Sequence, residues 1–293
     1  MAKLKDEFAY RLALTARAVA SSMSPRIAYN VGGKIGSLAY RLIGSRREIA
    51  KDNLRKAFGD SLTEAEIDKI TRNVFRNVGR TLFEMGRFEK LGVEGISKLI
   101  VPDGLDFFHK AQKNGRGAIL VTAHFGNWEM LGGWMSTQGH DFRAIAAVQH
   151  NLKVNQMLNG MRSAIGVEVI PARSLALRDV FKALKDNRFV AIVSDQHDPS
   201  RELILDFFGR KAAVPKGPAL FAIKADCPIA VYMMRRERYD RHVVMYGGEF
   251  DPPNTGDLDA DIRTMTTAYL KAVEDIIRQY PDQWLWTHRR WKI

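Results

Sequence analysis

His124 and Glu129 stand five positions apart in VTAHFGNWE, residues 121–129. A neutral imidazole takes the proton from a hydroxyl as that oxygen attacks a carbonyl. A carboxylate on the other ring nitrogen fixes the tautomer and stabilises the imidazolium that forms. The expectation is therefore that His124 serves as base and Glu129 orients it. The attacking oxygen then belongs to the substrate, and no protein nucleophile is needed. The rest of the sequence agrees, with no Gly-x-Ser-x-Gly elbow. Its single cysteine, Cys227, lies in the apolar stretch ADCPI, where a buried small hydrophobe is expected. One cysteine allows no disulfide within the chain, and helix-borne His-Glu-x-x-His is missing, so no metal site is expected. By spacing alone, the pair reads equally as a dyad or as an ordinary histidine with an acid nearby.

The surrounding pattern says how the pair would be positioned. Ala118 to Thr122 is a continuous apolar run bounded by Gly117, as a buried strand requires. His124 then emerges at the strand's carboxyl end, where open α/β sheets place their ligand crevice. Gly126 permits a tight turn, Asn127 is a candidate cap, and Glu129 falls in the first turn of the next helix. Phe125 and Trp128 are expected to wall the crevice.

Similar runs recur at 144–148, 167–170, 189–193 and 229–234, separated by helical patterns at 128–138, 154–165, 175–185 and 215–224. This alternation predicts an α/β fold with a mostly parallel central sheet flanked by helices. Residues 229–246, broken at Tyr239-Asp240-Arg241, read as an antiparallel hairpin. A last helix is expected over Leu258 to Gln279, stopped by Pro281. Upstream, Ser61-Leu62-Thr63-Glu64 reads as a capping box for a helix running to about Leu91. The boundary near Leu91 to Asp103 divides a helical N-terminal membrane-associating region, 1–100, from an α/β catalytic domain, 101–293.

The chain of 293 residues carries a formal charge of +12, which favours polyanionic partners. Up to Phe58 there are 12 Lys and Arg against 4 Asp and Glu. These cations interrupt an apolar segment from Phe8 to Ile43, so a clean spanning helix is not supported. Leu12, Leu14, Val19, Ile27, Val31, Ile35, Leu38 and Leu42 gather on one side, basic groups on the other, which suits an interfacial helix. The competing reading is an amphipathic segment packed on the protein's own core. No zinc-finger spacing or RNA-binding aromatic motif accompanies the charge, so no nucleic-acid partner is expected.

The string HFGNWE resembles the His-acid signature of the lipid A late acyltransferases, the lauroyl and myristoyl branch of the lysophospholipid acyltransferase superfamily. NLRKAFGDSLTEAEI, Arg162 in LNGMRSAIGVEVIP, Ser194-Asp195-Gln196, Phe207-Phe208-Gly209 and the terminal PDQWLWTHRRWK resemble that family in the same order, over nearly the whole chain. The resemblance implies a glycerolipid acyltransferase-like fold and transfer of an acyl group from an acyl carrier protein thioester, or acyl-coenzyme A, to a hydroxyl of a lipid A precursor. That step belongs to lipopolysaccharide biosynthesis at the cytoplasmic face of the bacterial inner membrane. A single N-terminal anchor or peripheral attachment would serve, and no cofactor is implied.

Within that resemblance His124 and Glu129 are catalytic, and Arg162 pairs with a phosphate or the developing oxyanion. Asp195 and Gln196 support Arg162 or shape the crevice, joined in the substrate site by Asn127, Phe125 and Trp128. The chain departs from the family at Gln149-His150, where many members have Arg-Pro, so His150 inherits no role. The Phe-Pro-Glu-Gly motif of the glycerol-phosphate branch is absent. His140 reads as a loop residue, His197-Asp198 as a polar turn, and Trp284 and Trp286 as packing residues. Other acceptors, namely a lysophospholipid, an ornithine lipid or a mannosylated inositol lipid, remain open, as do a basic nucleic-acid-binding module and a noncatalytic membrane protein.

Overall fold

The computed structural model describes residues 2–138, 141–172 and 176–292. His140 and the expected helix start at Leu175 lie outside them. Five helices lead the chain: α1 (Ala2–Ser22), α2 (Pro25–Leu42), α3 (Gly44–Phe58), α4 (Glu64–Met85) and α5 (Phe88–Ser97). The sheet elements follow as β1 (Ile100–Val101), α6 (Leu105–Asn114), β2 (Ala118–Thr122), α7 (Trp128–Ser136), β3 (Phe142–Ala146), α8 (Leu152–Ser163), β4 (Glu168–Pro171), α9 (Ala176–Lys185) and β5 (Phe189–Val193). Then come a small antiparallel hairpin β6 (Ile204–Phe207) and β7 (Arg210–Ala213), helix α10 (Gly217–Ala225), strands β8 (Ile229–Arg238) and β9 (Arg241–Phe250), and helix α11 (Leu258–Gln279).

Among the described residues, seven strands form the main sheet in the order β1-β9-β8-β2-β5-β3-β4. Every neighbouring pair is parallel except β8 with β9, the expected hairpin, which continues to Phe250 rather than stopping at Tyr246. All five residues of β2 are buried, because a parallel strand covered by helices on both faces has no solvent side. One core cluster joins Ile119 and Val121 of β2 to α9, α10, α11 and the C-terminal tryptophans. The other joins Ala118 and Leu120 to α5, α6 and α7. Cys227 is buried as expected, and burial pushes its thiol up to about 12.

The N-terminal helices share the first core. Ala50 and Leu54 of α3 and Ile67 and Val74 of α4 pack in it. The Asn53 side chain donates to the carbonyls of Trp286 and His288 at 2.7 and 2.6 Å, tying α3 to the tail. Helix α2 meets α4 backbone to backbone through glycines. A Cβ on Gly32 would stand 2.7 Å from the Gly79 carbonyl oxygen, and one on Gly36 would strike that of Phe75. The α2 stripe of Ile27, Ile35, Leu38 and Leu42 stays exposed, as do Phe8, Leu12 and Val19 on α1. Among the described residues, no helix is long and apolar enough to cross a membrane.

Two local expectations shift. The capping box of α4 is built by Thr63 and Glu66, not by Ser61 and Glu64. Ser61 sits in a 3-10 turn, and Glu64 instead takes both guanidinium contacts from Arg55 at 2.7 Å. The helix itself ends at Met85, and the chain restarts as α5 at Phe88.

Candidate active site

Parallel pairing of β2 with β5 builds the site. Thr122 lies opposite Val193, so the two residues that follow two positions later, His124 and Asp195, leave the sheet side by side. Asp195 Oδ1 is 2.8 Å from His124 Nδ1, and Oδ2 accepts the His124 backbone N–H at 3.0 Å. Trp284 Nε1 donates to the same Oδ2 at 2.6 Å. A carboxylate only accepts, so this geometry places the imidazole proton on Nδ1 and leaves Nε2 free to act as a base. Burial disfavours charge on either group. Asp195, by charge and hydrogen bond together, and Glu129 by charge outweigh that at His124, whose pKa is raised. Burial likewise works against the Asp195 carboxylate, but His124 and the Trp284 donor hold it below the usual carboxylate range.

The expected contact between Glu129 and His124 is not formed. Both Glu129 oxygens are taken by Arg162, Nε at 2.8 Å and Nη2 at 2.7 Å. This fork-to-fork pair joins the first turn of α7 to the last turn of α8. It also raises the pKa of Arg162. Asp195 was expected to support Arg162 or to shape the crevice. Its carboxylate is instead the one that holds His124.

The turn from His124 to Asn127 is clamped from three sides. Gly126 has a φ of 55°, and a Cβ there would strike the Met234 carbonyl of β8. Its N–H donates to Gln283 in the tail at 2.8 Å, and its carbonyl accepts from Thr81 of α4 at 2.9 Å. Asn127 caps α7 as expected, accepting from Met130 N at 3.0 Å, while its Nδ2 donates to Glu84 at 2.7 Å. Glu84 also takes Arg236 Nε and Nη2, at 2.8 and 2.6 Å, in a buried pair that the sequence reading missed. Burial opposes the Glu84 charge, but Arg236 and His242 outweigh it and hold the carboxyl at about 2. One sequence signal exists for it: Asn77, Thr81 and Glu84 form a polar stripe on an otherwise amphipathic helix.

A cavity of about 310 Å³ opens beside this turn. His124, Glu129, Arg162 and Gln196 line it together with Leu131, Met135, Phe142, Ala144 and Val167. Trp128 walls it as expected, edge-on to the His124 ring with centroids 5.1 Å apart. Gln196 places its amide nitrogen 3.3 Å from Nδ1. Phe125, by contrast, is fully buried and bridges to Trp284, and Asn127 spends its amide on Glu84 and the helix cap. Neither lines the cavity. The His124 side chain keeps 24% of its surface exposed, so a substrate hydroxyl can reach it.

The profile described as bacterial lipid A biosynthesis acyltransferase matches residues 6–293. The chain belongs to that family. It is therefore an O-acyltransferase enzyme. This lipid A acyltransferase family member is 27% identical to the lipid A biosynthesis palmitoleoyltransferase of Escherichia coli K12 over 89% of this chain and 84% of that one. It is 26% identical to the lipid A biosynthesis lauroyltransferase of the same organism, over 91% and 85%. A phosphatidylinositol mannoside acyltransferase of Mycobacterium tuberculosis is 31% identical over 41% of this chain and 39% of that one.

Proposed function

We propose that this acyltransferase moves a fatty acyl group from a carrier thioester to a hydroxyl of a lipid A precursor, with His124 as base and Asp195 as the carboxylate that orients it. One observation carries the reading. His124, with Nδ1 held by Asp195, lines a cavity that joins apolar walls at Leu131, Met135, Phe142 and Val167 to the polar Glu129, Arg162 and Gln196. Such walls suit an acyl chain, and a neutral imidazole suits a hydroxyl.

The hydroxyl oxygen attacks the thioester carbonyl while its proton passes to His124 Nε2. Charge builds on the carbonyl oxygen of the tetrahedral intermediate. Arg162, held in the cavity wall by Glu129, supplies the cation that meets it in this reading. The intermediate then collapses, the carbon–sulfur bond breaks, and the imidazolium returns its proton to the leaving thiolate. Asp195 stays ionised throughout and stabilises the imidazolium between the two steps.

The enzyme works at the cytoplasmic face of the inner membrane in this reading. Leu42, exposed to 73%, and Phe8, exposed to 71%, lead the uncovered apolar side chains of α1 and α2, among Arg11, Arg26, Lys34 and Arg41. Burial of such side chains in the headgroup region, assisted by cations near anionic lipid, supports interfacial attachment. The same positive surface suits an acidic carrier protein.

The test is to incubate the enzyme with mixed acyl-carrier thioesters and an inner-membrane lipid extract and to weigh the products. A lipid A precursor heavier by one acyl residue supports the reading. Acylation of a mannosylated inositol lipid alone would replace the acceptor, and thioester left unconsumed would remove the function.

A further inference from the structure

Helix α4 carries three arginines about one turn apart, Arg72, Arg76 and Arg80, which the acyl-transfer scheme does not use. At that spacing they share one face. The row lies along α2. The Arg72 guanidinium stands 5.3 Å from the Tyr40 ring centroid, and that of Arg80 stands 3.9 Å from the Tyr29 ring centroid. Room for Arg80 comes from a missing side chain, since a Cβ on Gly33 would stand 3.2 Å from its Nε. Its Nη1 donates to Asn77 Oδ1 at 3.1 Å, while Nε is buried with no hydrogen-bond partner among the described residues.

Among the described residues, neither Arg76 nor Arg80 forms a salt bridge within 4 Å. The carboxylates of this neighbourhood are engaged elsewhere: Asp68 by Lys51 and Arg72, at 2.6 and 2.9 Å, and Glu84 by Arg236. Asp282 in the tail accepts from Asn73 at 3.4 Å, and burial raises its pKa. Both arginines are only partly buried, so a solute can reach them. A guanidinium held on an aromatic ring and left without an anion is a ready fork for phosphate oxygens.

The row stands next to the histidine. Asn77, which accepts from Arg80, and Val78 line a narrow cleft together with His124, Trp128 and Leu285. His124 and Trp128 therefore wall two spaces. One is the cavity of about 310 Å³ against β3 and β5, and the other is this cleft against α4 and the tail.

We propose that Arg76 and Arg80 form a phosphate site for the headgroup of the acceptor lipid, which approaches His124 along α4 while the acyl chain of the thioester fills the larger cavity. The inference rests on the reading of the chain as a lipid acyltransferase with His124 as base. Two unpaired cations suit a phosphate monoester, which brings about two negative charges and three acceptor oxygens. Stacking on Tyr29 already fixes the Arg80 fork, so little side-chain freedom is lost on binding. The exposed Ile27, Ile35 and Leu38 belong to the same α2 helix. Burying them in a bilayer surface brings the row to the depth of the headgroups, where a lipid phosphate lies.

Two measurements on the full-length protein test the site. The first compares the lipid A precursor with the same lipid after phosphatase treatment, at fixed thioester. Wild type should favour the phosphorylated acceptor by about tenfold or more in kcat/KM. Arg76→Gln and Arg80→Gln should each bring that ratio toward one, through a raised KM for the phosphorylated acceptor and not for the thioester. Lys69→Gln, which removes the same charge from an exposed position of α4, should keep the ratio. A clamp that merely holds α2 on α4 would cost both acceptors equally, so an unchanged ratio in both arginine variants would overturn the proposal. Arg76→Gln carries the test where Arg80→Gln does not fold. Rescue of the dephosphorylated acceptor by inorganic phosphate would overturn the headgroup as the source of the anion.

The second measurement needs no turnover. Phosphatidylcholine vesicles containing phosphatidic acid, a monoester, should bind wild type more tightly than vesicles matched in charge with phosphatidylglycerol, a diester. Arg76→Gln should lose that difference. Equal binding of both vesicles by wild type would overturn the monoester site while leaving His124 as base intact. Thioester left unconsumed by wild type would remove the function, and the vesicle comparison would still decide the site.

Discussion

Asp195 holds His124 at two points, its Oδ1 2.8 Å from Nδ1 and its Oδ2 3.0 Å from the backbone nitrogen. The double hold fixes both the tautomer and the direction of the ring. It also separates two carboxylates that would otherwise compete for one role. Asp195 serves the histidine, and Glu129 serves Arg162.

The two carboxylates should therefore fail differently. Asp195→Asn removes the acceptor that demands a proton on Nδ1, and kcat is expected to fall by about a thousandfold or more, with KM little changed. Glu129→Gln instead loosens Arg162, and its loss of rate should be accompanied by a raised KM for the acyl donor. Steady-state kinetics of the two variants against one donor series separates these outcomes.

Activity should follow the neutral form of His124. Its raised pKa places the acid limb of kcat/KM above the ordinary value of 6.5. The same linkage acts on stability with a worked sign. The His124 contribution is complete below the unfolded pKa and is lost as pH rises through the raised folded value. The Asp195 contribution is present above its ordinary 3.8 and is lost as pH falls through the lowered folded value. Rate and unfolding profiles measured in one buffer series check both.

Glu84 is expected to matter for stability before chemistry. Glu84→Ala leaves Arg236 buried without its carboxylate and costs about 3–5 kcal/mol. It also strips the Asn127 amide of its acceptor. Chemical unfolding of the variant should show an unfolding free energy lower by that amount.

The exposed stripes of α1 and α2 should bind lipid. Purified protein is expected to sediment with anionic vesicles, less so at high salt, because the cationic share of the attraction is screened. Protein that stays in the supernatant at every salt concentration would remove the interfacial reading.

Much of the fold is legible in the sequence, and the reason is local. Ala118 to Val121 and Phe189 to Val193 are apolar on every residue because both faces of a parallel strand are covered. Leu258 to Gln279 carries its own cap in Asp257 and its own stop at Pro281, and its bounds are those expected. Strand order is not local. No pattern near His124 says that β5 will lie beside β2, so a partner 71 positions away is invisible to spacing. Glu129, five positions along, looks closer. An acid in the first turn of α7 favours the helix dipole whatever else it contacts. The signal for Asp195 was present in kind, a carboxylate just past the end of an apolar run, and the resemblance to the family marked the same Asp-Gln turn. It lacked only the register that joins the two strand ends.

Acyl transfer by the His124→Ala variant is the most direct measurement of the central claim. The variant should fold, with a circular dichroism spectrum like that of wild type, and transfer acyl groups from thioester to lipid at least about a hundredfold more slowly. Transfer at a near-normal rate by the folded variant would contradict the assignment of this imidazole as the base.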